Sequence, residues 1–108
     1  MTDLSNKPKP NNAAFYMCLY PELATIARQH GYALAVHGSL ARDMDLICVP
    51  WVEHPSEPEV VVAQIEATFS IKRIGTPTMM LHGREAWTIG IAFGECFIDL
   101  SFMPRQAS

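Results

Sequence analysis

The sequence predicts an α+β domain, a mixed and mostly antiparallel five-stranded sheet with two main helices packed on one face. Three observations predict it. Two segments repeat apolar residues at helical spacing, and five shorter ones carry apolar runs or alternation bounded by glycine, proline and polar residues. Their order along the chain is helix, strand, strand, helix and then three strands, which suits helices gathered on one side of a sheet. The 108 residues, 49% hydrophobic and 18% charged, fall in the range of one globular domain with a modest core.

Taken in order, residues 1–12 are polar and include Pro8 and Pro10, which reads as a flexible or weakly docked leader to a domain spanning 13–103, with a tail at 104–108. Over 13–30, Phe15, Tyr16, Leu19, Leu23, Ile26 and Ala27 mark one face of an amphipathic helix. Proline costs about 3 kcal/mol inside a helix and is welcome in its first turn. Pro21 is therefore expected to open the continuous helix after a shorter helical segment, and Gly31 to stop it. An apolar strand follows over 32–36, then a polar break at His37-Gly38-Ser39, then a second apolar run over 46–49 headed by Asp43 and Asp45. Past the proline-rich segment around Trp51 and His54, Ser56 and Glu59 have capping-box spacing and predict a helix over 57–70. Val61, Val62, Ile65 and Phe69 form its buried stripe, while Glu57, Glu59 and Glu66 face water. Lys72 and Arg73 complement the dipole at its end. Strands are expected over 78–81, 85–93 and 96–102, with turns at His82-Gly83-Arg84 and Gly94-Glu95.

Composition narrows the function. A net charge of −3 argues against a general nucleic-acid binder, which carries a basic face. No stretch has the length and apolarity of a membrane span, and the N-terminus lacks an apolar signal core, so no membrane partner and a cytoplasmic location are expected. Cys18, Cys48 and Cys96 lack metal-type spacing and read as buried thiols in a reducing compartment.

The chemistry concentrates around the polar break. Side chains in a strand repeat every two residues, so Asp43 and Asp45 project from one face with their carboxylates close together. Like charges at that range call for a shared proton or a bound divalent cation, and an all-oxygen pair favours magnesium or manganese. Gly38 allows a ligand to approach the backbone, and Ser39 beside it offers N–H and O–H donors to a phosphate. In the last strand Phe97, Asp99 and Ser101 share one face, and a charged Asp99 amid apolar neighbours is costly to bury unless paired or metal-bound. Asp99 is read either as a metal carboxylate or as the partner of Arg42 or Arg84. Arg42, Lys72, Arg73 and Arg84 are candidate phosphate contacts. His37 either contacts substrate or caps local backbone, and Trp51 and His54 lie either over the core edge or at the site's rim.

Gly38-Ser39 at the end of one strand, Ala41-Arg42 after it and Asp43-x-Asp45 opening the next strand resemble the signature of the nucleotidyltransferase superfamily in its minimal and DNA polymerase beta-like forms. The resemblance runs from about 19 to 103, and its specific part is this central motif. It implies a nucleotidyltransferase-like sheet and metal-dependent transfer of a nucleotidyl group from a nucleoside triphosphate to an unknown acceptor. By the same resemblance Gly38, Ser39 and Arg42 would bind nucleotide, and Asp43, Asp45 and Asp99 would be catalytic ligands to Mg2+ or Mn2+. A homodimer or a partner chain is expected alongside. Only Leu40, Ala41 and Arg42 separate the two motifs, fewer residues than family members usually have, and no second, acceptor-binding domain is apparent. Those departures support an alternative, a catalytically inactive nucleotidyltransferase fold serving as a binding or accessory module of the phage or antitoxin kind.

Overall fold

The computed structural model describes residues 11–91 and 95–105. In chain order these form α1 (Ala13–Gln29), β1 (Tyr32–His37), β2 (Met44–Pro50), α2 (Pro58–Phe69), β3 (Lys72–Met79), a 3-10 turn at Leu81–Gly83, β4 (Glu85–Ile91) and β5 (Cys96–Phe102). Residues 1–10 of the leader expected over 1–12, the turn centred on Gly94, and residues 106–108 of the tail expected over 104–108 lie outside the described residues.

The strands form one five-stranded sheet in the order β1-β2-β5-β4-β3. Three neighbouring pairs are antiparallel and β2 with β5 is parallel, so the sheet is mixed and mostly antiparallel. Alternation decides which face is covered. In β2, Met44, Leu46 and Cys48 are buried, and in β5 so are Cys96, Ile98, Leu100 and Phe102. Tyr16, Leu23, Ile26 and Ala27 of α1 and Val61, Val62 and Ile65 of α2 join them in a single core. Each fully buried Leu, Ile, Val, Met or Phe among them contributes about 1.5–3 kcal/mol on leaving water. The residues between them, among them Asp45, Ile47, Asp99 and Ser101, therefore stand on the face away from the helices.

Several local expectations are corrected. The first helix runs unbroken through Pro21. Tyr16 and Leu23 are buried on either side of that proline, so packing of the stripe overrides the loss of one backbone hydrogen bond. Pro21 itself is exposed, and its carbonyl accepts a bond from the Thr25 hydroxyl at 2.9 Å. Phe15 sits beside the stripe, 42% exposed, because it lies one residue, or 100°, off the line through Tyr16.

Ser56 does not cap α2, whose N-cap is Glu57 without a side-chain bond. His30 claims the Ser56 hydroxyl instead, with Nδ1 at 2.8 Å from it and Nε2 beside the Gln64 amide oxygen, which ties the end of α1 to the start of α2. Glu66 is turned to Arg73, which binds it through Nε and Nη2 and also reaches Glu59 at 2.8 Å. The first cause of the lowered Glu66 pKa is that side-chain bond.

Lys72 and Arg73 open β3 rather than trail the helix, and the strand reaches back six residues further than its apolar segment suggests. Gly75 (φ 69°) and the register shift against β4 between Ile74 and Thr78 mark a bulge, with Pro77 between them. Proline is tolerated because β3 is an edge strand. Of the thiols, Cys48 and Cys96 are buried but Cys18 is exposed. Among the described residues no helix is long and apolar enough to cross a membrane.

Candidate active site

The connection from β1 to β2 is short and tightly held. Gly38 takes φ 80° and Leu40 φ 63°, a conformation that glycine adopts freely and a leucine only when its surroundings hold it there. Leu40 is held by burial, with 6% of its surface exposed. Helix α1 supplies the remaining ties. The Asn12 N–H donates to the Ala41 carbonyl at 2.9 Å, and the Tyr16 hydroxyl donates to the Arg42 carbonyl at 2.5 Å while accepting from the Phe97 N–H at 3.3 Å. Tyr16 thus fastens the loop bearing Asp43 to the start of β5. Desolvation, its first cause, pushes this tyrosine's pKa up to about 12. Within the turn the Ser39 Oγ accepts from the Ala41 N–H at 3.2 Å, so its own proton is left to donate outward.

On the open face, register brings the chemistry together. His37 stands opposite Asp45 across β1 and β2, and Asp45 stands beside Asp99 across β2 and β5. A Cβ at Gly38 would lie 3.4 Å from Asp45 Oδ2, which puts the glycine turn against that carboxylate. Thr88, opposite Asp99 on β4, donates its hydroxyl to Asp99 Oδ1 at 3.2 Å. The Asp99 pKa is raised, first by desolvation and then by the Asp45 and Asp43 charges, against the lowering effect of the Thr88 bond. No arginine neutralises the group. Among the described residues the ion pairs within 4.0 Å involve none of Asp43, Asp45 or Asp99. A cleft of about 220 Å3 lies over the row, lined by His37, Asp45, Ile47, Arg84, Asp99 and Ser101 among others.

The structure therefore unites Gly38, Asp45 and Asp99, and places Ser39, Arg42 and Asp43, all exposed, on the adjoining loop. Among the described residues no group of three or more His, Cys, Asp or Glu is disposed to hold a metal ion. The pairing of Asp99 with Arg42 or Arg84 does not occur. Lys72 and Arg73 belong to β3, at the sheet edge opposite β1. Arg73 is engaged by Glu59, Glu66 and the Trp87 ring, 5.0 Å from its guanidinium carbon, and is not a phosphate contact. Trp51 and His54 follow the far end of β2, about 20 Å of strand from Asp45 at roughly 3.3 Å per residue, and do not rim the site.

Two contributors escape a reading of the sequence. Tyr16 reads there as one more residue of a buried helical stripe, although a buried tyrosine hydroxyl needs a partner, and that signal was present. Thr88 is identified only by strand register, which the sequence does not display. No known protein family, curated protein or solved structure matches the chain.

Proposed function

We propose that this chain is a metal-dependent nucleotidyltransferase core, moving a nucleotidyl group from a nucleoside triphosphate to a hydroxyl or amine of an acceptor. The observation that carries the reading is the alignment of Asp45 with Asp99 on neighbouring parallel strands, in no ion pair among the described residues, with the Gly38 turn against Asp45. The donor set fits magnesium, or manganese in its place. Magnesium is ordinarily held by one or two carboxylates together with substrate phosphates, so a preformed three-ligand cage is not required. When bound, the ion would supply the positive charge that polarises the reacting phosphate and activates the attacking oxygen.

The chain's own residues do the rest. Asp45 and Asp99 would hold the cation, and Asp43 on the exposed loop would complete its carboxylate set. The Gly38 N–H and Ser39 hydroxyl donate to the triphosphate, and Arg42 on the same loop adds charge. In the reaction the acceptor oxygen or nitrogen forms a bond to the α-phosphorus and the bond from that phosphorus to the pyrophosphate oxygen breaks. The acceptor's proton passes to a carboxylate facing the cleft, Asp99 being the one whose proton affinity is raised by burial and by the neighbouring carboxylates.

A second reading, a binding or accessory module on the same scaffold, draws on the missing three-ligand group among the described residues and on the three-residue link between the motifs. Calorimetry with ATP, GTP, CTP and UTP, each with magnesium, separates the two. The transferase reading expects magnesium-dependent binding of at least one triphosphate, abolished in Asp45→Asn. Silence with all four, and no effect of magnesium on the melting temperature, leaves the binding module.

A further inference from the structure

Among the described residues Arg84 is the one Lys or Arg that lines the cleft, and its position differs from that of every other charge there. Glu85 pairs with Phe102 and Ala86 with Ser101, so Arg84 precedes β4 one step beyond Phe102. It shares the open face with Ala86 and Thr88 by strand parity. His37, Asp45 and Asp99 occupy one row across the sheet, Ile47 and Ser101 the next row along. The Arg84 backbone starts a further two residues on, about 13 Å from the carboxylate row at 3.3 Å per residue. Its side chain runs back from there into the cleft.

That side chain has an unmet need. The Arg84 Nε is closed off from solvent and has no hydrogen-bond partner. No carboxylate among the described residues comes within 4.0 Å of the guanidinium. A permanently charged, planar fork that no carboxylate neutralises and whose hydrogen bonds are not all made matches an anion with several oxygens, and phosphate fits it best.

We infer that Arg84 anchors a phosphate of the acceptor, so that the molecule receiving the nucleotidyl group is itself phosphorylated. This rests on the transferase reading, and direction selects the acceptor over the donor. An in-line displacement puts the attacking and leaving groups on opposite sides of the reacting phosphorus. The leaving pyrophosphate lies toward the Gly38 turn, on the β1 side of the carboxylates. Arg84 enters from β4, on the other side and from the other end of the cleft, where the attacking group must come from.

The test follows the Arg84 Nε–H resonance by nuclear magnetic resonance in the intact protein, with a chelator present and inorganic phosphate as the probe. The signal is expected to shift saturably in millimolar phosphate. Arg84→Gln, folded as judged by its unaltered amide spectrum elsewhere, is expected to bind phosphate at least about tenfold more weakly, the loss typical of a charge-assisted hydrogen bond. An unmoved signal, or equal affinity in the variant, overturns the anion site. Magnesium and a non-hydrolysable triphosphate are then added. Phosphate retained at Arg84 beside bound triphosphate supports the acceptor assignment, whereas its displacement gives Arg84 to the donor and overturns that assignment. If phosphate titrates Arg84 but no triphosphate binds, the transferase reading fails and the acceptor assignment with it, while the anion site stands.

Discussion

Asp99 is where the cost of the site is concentrated. Burial and the neighbouring Asp45 and Asp43 charges make the folded group hold its proton to higher pH than the unfolded chain does. A raised carboxyl pKa contributes stability that is fully present below the unfolded value and is lost as pH climbs through the folded one. At neutral pH and without divalent cations, Asp99→Asn should therefore stabilise the fold. Relieving one pair of like charges on neighbouring strands is worth on the order of 1 kcal/mol even at the dielectric of water. Thermal denaturation across pH checks it: the gain should shrink toward zero in acid, where Asp99 is already protonated, and magnesium should raise the melting temperature of the parent but not of the variant. The same residue marks the limit of legibility at this scale. An aspartate set amid Phe97, Ile98 and Leu100 announced itself in the sequence, as did Asp43-x-Asp45. That Asp45 rather than Asp43 is its close neighbour depends on strand register, and register between segments 50 residues apart leaves no local trace.

Helix α1 is the element in which local propensity and tertiary packing conflict. Pro21 lacks the N–H that would bond the Met17 carbonyl, yet the helix continues because its buried stripe extends on both sides. Since Pro21 is itself exposed, Pro21→Ala should restore that bond without disturbing the core. A gain of about 1–3 kcal/mol is expected, bounded by the proline penalty in helix interiors, and chemical denaturation would measure it. A loss would mean that the proline bends α1 to deliver Asn12 and Tyr16 to the loop after β1. The strands β1, β2, β4 and β5 were readable because alternation or an apolar run coincides with each of them. The first six residues of β3 were not. Lys72-Arg73-Ile74-Gly75-Thr76-Pro77 carries two breakers and little apolar content, and it becomes a strand only because β4 offers an unpaired edge. The capping box failed for a related reason, since Ser56 has a stronger partner in His30, distant in sequence.

Across the whole molecule, order is graded from the centre of the sheet to its β3 edge. β2 and β5 are paired on both sides and buried on the helix face, whereas seven of the eight residues of β3 are exposed and its register slips past Ile74. Amide hydrogen exchange should be slowest in β2 and β5 and fastest in β3 beyond Ile74. Uniform protection across all five strands would contradict that gradient. The position of β5 between β2 and β4 has a consequence for how the molecule comes into being. On a ribosome the hairpin of β1 with β2 and the hairpin of β3 with β4 emerge first, as two halves sharing no backbone bond. β5, which follows both hairpins in the chain, wedges between them, joins the halves and carries Asp99 alongside Asp45 in the same act, so the two carboxylates meet only as the sheet closes.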